Sequence, residues 1–196
     1  RIAEIETPAI AFFLTLPAPV PALDAWETME PAAQRMADLL DASGNRGRAA
    51  NAYLLHARTG MHDPQLMAAG DALSSGRLPE AERLLRDRLR VVPNDVAAMR
   101  MLAELAARVG RNEQALVLLE RCLALAPGFA MARHNYALVL DRCNRHEEAL
   151  VEVDALLSTD QENASLQNLK AVVLGKLGNY SSAIRMYEGI LGKRPK

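Results

Sequence analysis

The chain has 196 residues, half of them apolar and only 4% aromatic, and carries a formal net charge of −1. That balance creates no global field to gather nucleic acid or an anionic membrane, and neither is expected as a partner. Abundant Ala and Leu with few aromatic strand formers point to helices.

Residues 1–23 differ from the rest. The run "AIAFFLTL" is too short to span a bilayer, and it follows Glu4 and Glu6 where a signal peptide would carry positive charge. "LPAPVPAL" alternates proline with small residues, which favours an extended, polyproline-like course. This leader is expected either to lie along the first helices or to occupy a groove of its own or a neighbouring molecule. The chain opens on Arg1, and its last unit stops at Pro195, so the native polypeptide is expected to be longer.

Residues 24–61 read as helix, turn, helix, with Gly44 at the turn and Ala49 and Tyr53 on the second helix. His56, His62 and Asp63 lie close together in sequence but lack the i, i+4 spacing and second cluster of a metal site, so solvated or capping roles are expected. From residue 62 a stricter pattern takes over. Ala81, Ala115, Ala149 and Ala183 stand 34 residues apart; Pro93, Pro127 and Pro195 keep the same register, with Gln161 in the missing place. A fixed offset of this size means stacked copies of one unit, not a single globular core.

Each unit contains two helical runs with apolar residues at i, i+3, i+4 and i+7. Gly76, Gly110, Asn144 and Gly178 mark the turn inside each pair, where the backbone needs a positive φ. Asp63-Pro64 and Asn94-Asp95 are N-terminal signals for the helices they precede. Arg111-Asn112-Glu113, Arg145-His146-Glu147 and Gly178-Asn179-Tyr180 are expected to open the second helices in the same way. Units therefore run 62–95, 96–129, 130–163 and 164–196. The last carries Leu169, Val172, Leu174, Leu177, Ile184 and Tyr187 with no polar outer helix, so an apolar end is expected, one route to self-association alongside the N-terminal leader.

The repeat resembles the tetratricopeptide repeat. Small residues stand where two helices cross (Ala69, Ala103, Ala137, Ala171), alanines open the second helices, large residues follow four later (Leu85, Leu119, Val153, Tyr187), and proline ends most units. The resemblance implies an all-α fold: an α-solenoid of antiparallel helix pairs, wound as a right-handed superhelix, here with an extended N-terminal segment. It also implies a concave groove lined by the first helices. Carried over unit by unit, the groove residues are Leu66, Met67 and Leu73, then Arg100, Met101, Glu104 and Arg108. Met131, His134, Asn135, Leu138, Asp141 and Arg142 follow, then Asn168, Leu169, Val172 and Lys176. Cations outnumber acids along this wall.

Cys122 falls at a packed place on a second helix and Cys143 at the end of a first helix. They suit free thiols in a reducing, cytoplasmic setting better than a disulfide framework.

No phosphate-binding loop, nucleophile elbow, paired catalytic carboxylates or cofactor motif occurs, so no cofactor and no catalysis are expected of these residues. Residues 133–191, with "HNYALVLDR" and "NLKAVVLGKLG", also look like the repeats that precede the catalytic domain in bacterial tetratricopeptide-containing sulfotransferases. Two functions are thus open: a scaffold binding an extended acidic or polar polypeptide in its groove, or the non-catalytic recognition region of a larger transferase.

Overall fold

A computed structural model describes residues 23–59 and 63–192; the N-terminal leader and His62 lie outside them. The described residues form ten α-helices and no strand: α1 Leu23–Ala42, α2 Arg46–Thr59, α3 Pro64–Ser74, α4 Leu78–Val91, α5 Val96–Arg108, α6 Asn112–Leu125, α7 Ala130–Arg142, α8 His146–Leu157, α9 Ala164–Lys176 and α10 Tyr180–Gly192. Each odd helix pairs with the even helix after it, and from α4 onward each second helix also packs on the next first helix. The all-α solenoid expected from the repeat is present.

Five turns inside the pairs carry positive φ, at Gly44, Gly76, Gly110, Asn144 and Gly178. Asn144 is the one residue of the five with a side chain, and asparagine tolerates that region best among L residues. Asp63 accepts from the Gln65 and Leu66 amides, Asp95 from Ala98 N and Asn163 from Ser165 and Leu166 N, so α3, α5 and α9 are side-chain capped. The second helices differ from expectation. Arg111 and Arg145 occupy the N-cap places without capping, because an arginine has no acceptor for a free amide. They engage acids instead: Arg145 holds Glu148 through two 2.7 Å bonds, and Arg111 reaches Glu82 on α4 at 3.0 Å. Asn179 does accept from Ser182 N, at 3.3 Å.

The core is built from one set of places per unit. Crossing residues Ala69, Ala103, Ala137 and Ala171 have no exposed surface, and small side chains there let the helix axes approach closely. Leu85, Leu119 and Val153 are equally buried. Cys122 is buried and its thiol donates to Val96 O at 3.3 Å; burial pushes its pKa up to about 12. Cys143 is half-buried, and both are free. Since thiolate character and access set reactivity, the native protein should react with a disulfide reagent at about one thiol per chain, Cys143, and Cys122 should follow only on unfolding. Two fast thiols in the folded state would contradict this packing.

The first pair is seated differently from the others: α2 packs against α5 and α6, beyond the pair that follows it in sequence. Asn94, in the turn before α5, donates to Asp38 Oδ1 (3.0 Å) on α1 and to the Tyr53 hydroxyl (3.3 Å) on α2. Tyr53 itself donates to Asp38 at 2.8 Å, and Arg121 of α6 donates to Asn94 Oδ1 at 2.9 Å. Beside this cluster, His56 is buried 3.5 Å from Asp95, so it is not the solvated side chain expected from sequence. Arg88 then joins two helix N-termini, reaching Asp63 at 2.7 Å and Asp95 at 2.8 Å.

At the other end, Tyr180, Ile184, Tyr187 and Leu191 are exposed on α10 at spacings of four, three and four, one stripe along the helix. The expected apolar end is present, though it is made by α10; Leu169 and Leu174 on α9 are buried.

Candidate functional site

The wall formed by α3, α5, α7 and α9 carries the groove residues read from sequence. Their environments divide it into two polar clusters with an amide between them.

In the first cluster Glu104 holds two arginines from its own helix, Arg100 at 3.1 Å and Arg108 at 2.6 Å. The i, i+4 spacing on α5 places all three on one face. Arg108 also donates to Leu73 O at 2.9 Å, at the end of α3. Arg100 is only 15% exposed, so its guanidinium is largely used within the wall.

In the second cluster Asp141, buried near the end of α7, accepts from Lys176 Nζ at 2.6 Å and lies 3.0 Å from His146 Nδ1. Arg142 reaches back to Ala107 O at 3.1 Å. Arg108, Arg142 and Lys176 are therefore equivalent, each extending from one first helix to the end of the preceding one. Arg108 and Arg142 meet the negative end of the preceding helix dipole at Leu73 O and Ala107 O, which also accept from Gly76 N and Gly110 N, and Lys176 meets the Asp141 carboxylate there. The four wall cations seen in the sequence are present, but each has an internal acceptor; the positive lean of the groove is spent inside the repeat.

Asn135 sits between the clusters, on α7. It is half-buried, and its amide nitrogen is covered with no hydrogen-bond partner among the described residues. A donor left so is costly unless something else takes it up. His134, Leu138 and Val172 are half-buried and Asn168 is exposed, while Met67 and Met131 add exposed apolar surface. Sequence reasoning missed His146 and the Leu73 and Ala107 carbonyls. The 34-residue offset of Arg108, Arg142 and Lys176 was the available signal for a shared structural task.

Among the described residues no His/Cys/Asp/Glu group could hold a metal, and no helix is long and apolar enough to cross a membrane.

The tetratricopeptide repeat family matches residues 106–173, and the family of the ZipA C-terminal FtsZ-binding domain matches residues 1–44. The cell division protein ZipA of Xanthomonas euvesicatoria pv. vesicatoria (strain 85-10) is 75% identical over 41 residues, 21% of this chain and 17% of that protein. The chain thus spans about a sixth of the curated relatives it matches. Among solved structures, YrrB, described as a TPR protein with an unusual peptide-binding site, is 20% identical, covers 84% of this chain and 86% of its own, and superposes with a TM-score of 0.59. A K341M mutant of the Thermobaculum terrenum O-GlcNAc transferase is 26% identical over 57% of this chain and 22% of its own, with a TM-score of 0.55. Repeat spacing, stacked helix pairs and these likenesses agree: residues 106–173 match the tetratricopeptide repeat, and the described helix pairs have the fold of a tetratricopeptide-repeat solenoid.

Proposed function

We propose that the chain is a non-catalytic interaction scaffold that holds an extended polypeptide along the wall of α3, α5, α7 and α9. The observation that carries this is Asn135 on α7: its amide donor has no partner among the described residues and is covered in the unliganded wall, so a turn of its side chain is what would present it to a ligand. An extended peptide offers a backbone carbonyl every residue, which is what such a donor needs. A ligand carboxylate would have to compete with Glu104 for Arg100 and Arg108, taking over part of their internal pairing, while Met67, Leu138 and Val172 supply apolar contact. Nucleic acid and membrane are not proposed as partners. A cytoplasmic setting accords with the free thiols. Self-association through α10 is a further possibility of the same scaffold.

The test uses a fluorescein-labelled acidic peptide selected on a peptide array against the full chain. The double substitution Arg100→Ala and Asn135→Ala should weaken its binding by more than about tenfold, the sum of one neutral and one charged hydrogen bond. Unchanged affinity with an unchanged circular dichroism spectrum would remove this wall from consideration.

A second reading follows from the ZipA likeness, and here the 75% identity over 41 residues is the favouring observation. The leader and α1 would then attach the array to FtsZ, the partner that family's name carries. Against it, a segment of that size is a small part of a domain, and small pieces bury too little surface to present a binding face alone. Sedimentation of the full chain with purified FtsZ polymers decides: co-sedimentation abolished by deleting residues 1–44 supports this reading, and its absence at tens of micromolar protein ends it. The transferase alternative is a third context for the same groove. The O-GlcNAc transferase likeness places such repeats in an enzyme's chain without giving these residues any chemistry.

A further inference from the structure

A cleft of about 450 Å³ opens between α4 and α6, floored by Leu102, Leu105 and Ala106 of α5 and rimmed by Arg86 and Arg111. At about 100° per residue, Leu102 and Ala106 lie on the flank of α5 away from Arg100, Glu104 and Arg108, so the cleft is separate from the groove. The repeat itself explains why it is open. One unit later the place of Leu102 is taken by Tyr136, whose hydroxyl bonds to Glu120 at 3.1 Å on the preceding second helix. Two units later it is Lys170, which meets Asp154 of the preceding second helix at 2.7 Å. Glu120 and Asp154 stand 34 and 68 residues after Arg86. Two of these three intervals are thus bridged by a long side chain, and the first has only leucine.

Tyr136 also shows what fits. Desolvation, the hydrogen bond to Glu120 and the nearby Glu148 charge push its pKa up to about 12, against the pull of Arg145. Its ring end therefore lies among Glu120, Arg145 and Glu148. Their counterparts one unit earlier are Arg86, Arg111 and Gln114, and all three line the cleft. We propose that the cleft between α4 and α6 is a binding site for a tyrosine side chain of a partner polypeptide, which occupies the space over Leu102 that Tyr136 fills from within at the next interval.

The polarity of the anchoring bond is reversed. Glu120 accepts from Tyr136, whereas Arg86 can only donate, so the bound phenol oxygen accepts from it. Arg86 and Arg111 both bond to the same Glu82 oxygen, at 2.8 and 3.0 Å, which holds the two guanidiniums at the rim. Glu113, also at the rim, balances the second positive charge. The site therefore selects a neutral aromatic with an oxygen acceptor over an anion. The apolar floor and the exposed Val117 cover the ring faces.

The experiment titrates p-cresol, and separately toluene, into the ¹⁵N-labelled full chain and follows amide shifts. Saturable changes confined to residues 82–86 and 102–118 are expected for p-cresol, with toluene about fivefold weaker for want of the hydrogen bond. Leu102→Tyr with Arg86→Glu recreates the Tyr136–Glu120 pair inside the cleft and should abolish the p-cresol shifts. Leu102→Phe, a smaller change, should weaken them severalfold if the double variant does not fold. Shifts scattered over the array, equal affinity for toluene, or p-cresol binding retained in the folded variants would each overturn the assignment.

Discussion

Replacing Arg88 by methionine should lower stability by about 3–5 kcal/mol, because it leaves the buried Asp63 and Asp95 carboxylates without their shared cation. For a chain of this size that is a fall of about 10 °C in melting temperature. The hydrophobic stem is kept, so lost packing is not the cause. Adding Asp63→Asn and Asp95→Asn to Arg88→Met should recover part of the loss, since asparagine still caps a helix and carries no charge to strand. A triple variant no more stable than the single one would show that the two acids are not what makes Arg88 costly to remove.

The same site sets an acid limit. Burial alone would raise the Asp95 carboxyl, but His56 at 3.5 Å, with bonds from Ala98 N and Arg88, outweighs burial and holds it below the ordinary carboxylate range. A carboxyl lowered in the folded state contributes stability above its unfolded pKa, and the contribution is lost as pH falls from there through the lowered value. The wild-type protein should therefore lose stability steeply below about pH 4, where an unfolded aspartate begins to bind protons. The triple variant should lose it less steeply, as urea unfolding across that range would measure.

The second large effect contrasts two copies of one repeat place. Leu119→Ala should cost about 2–5 kcal/mol, the loss of a fully buried leucine plus the cavity it leaves. Tyr187→Ala, at the equivalent place on α10, should cost about 1 kcal/mol or less because Tyr187 is 37% exposed. Chemical denaturation of both variants is the check. A Tyr187 loss as large as that of Leu119 would mean that α10 is covered in solution, and a concentration-dependent midpoint would identify a second copy as the cover.

The fold was readable from sequence because periodicity is redundant. Alanines at 81, 115, 149 and 183 and turns at 76, 110, 144 and 178 each give the same 34-residue offset, so one departure such as Gln161 changes nothing. The wall was readable as positions but not as chemistry. Whether Arg108 faces a ligand or Leu73 O depends on where the preceding helix ends, a matter of stacking geometry that spacing along one helix does not contain. The seat of α2 was beyond reach for a similar reason. It is fixed by Asn94, which bonds to Asp38 across 56 residues, and no local pattern encodes so distant a contact. Tyr53 shows both sides: its distance from Ala49 placed it on a helix, and only the structure gave its hydroxyl a partner.

Arg108, Arg142 and Lys176 have a mechanical consequence. Coiled stacks of helix pairs behave as springs where each unit touches only its neighbours, and here the first pair departs from this by packing on the third. These three arms tie consecutive first helices together along the inner edge, so pulling the coil open must break them before the packed alanines separate. The other flank is tied at each step as well, though by different residues: Arg111, at the start of α6, reaches Glu82 on α4, Tyr136 reaches Glu120 one unit later and Lys170 reaches Asp154 two units later. Opening the coil at the step between α4 and α6 must therefore break Arg111–Glu82 on one flank and Arg108–Leu73 O on the other, so that step resists extension from both sides.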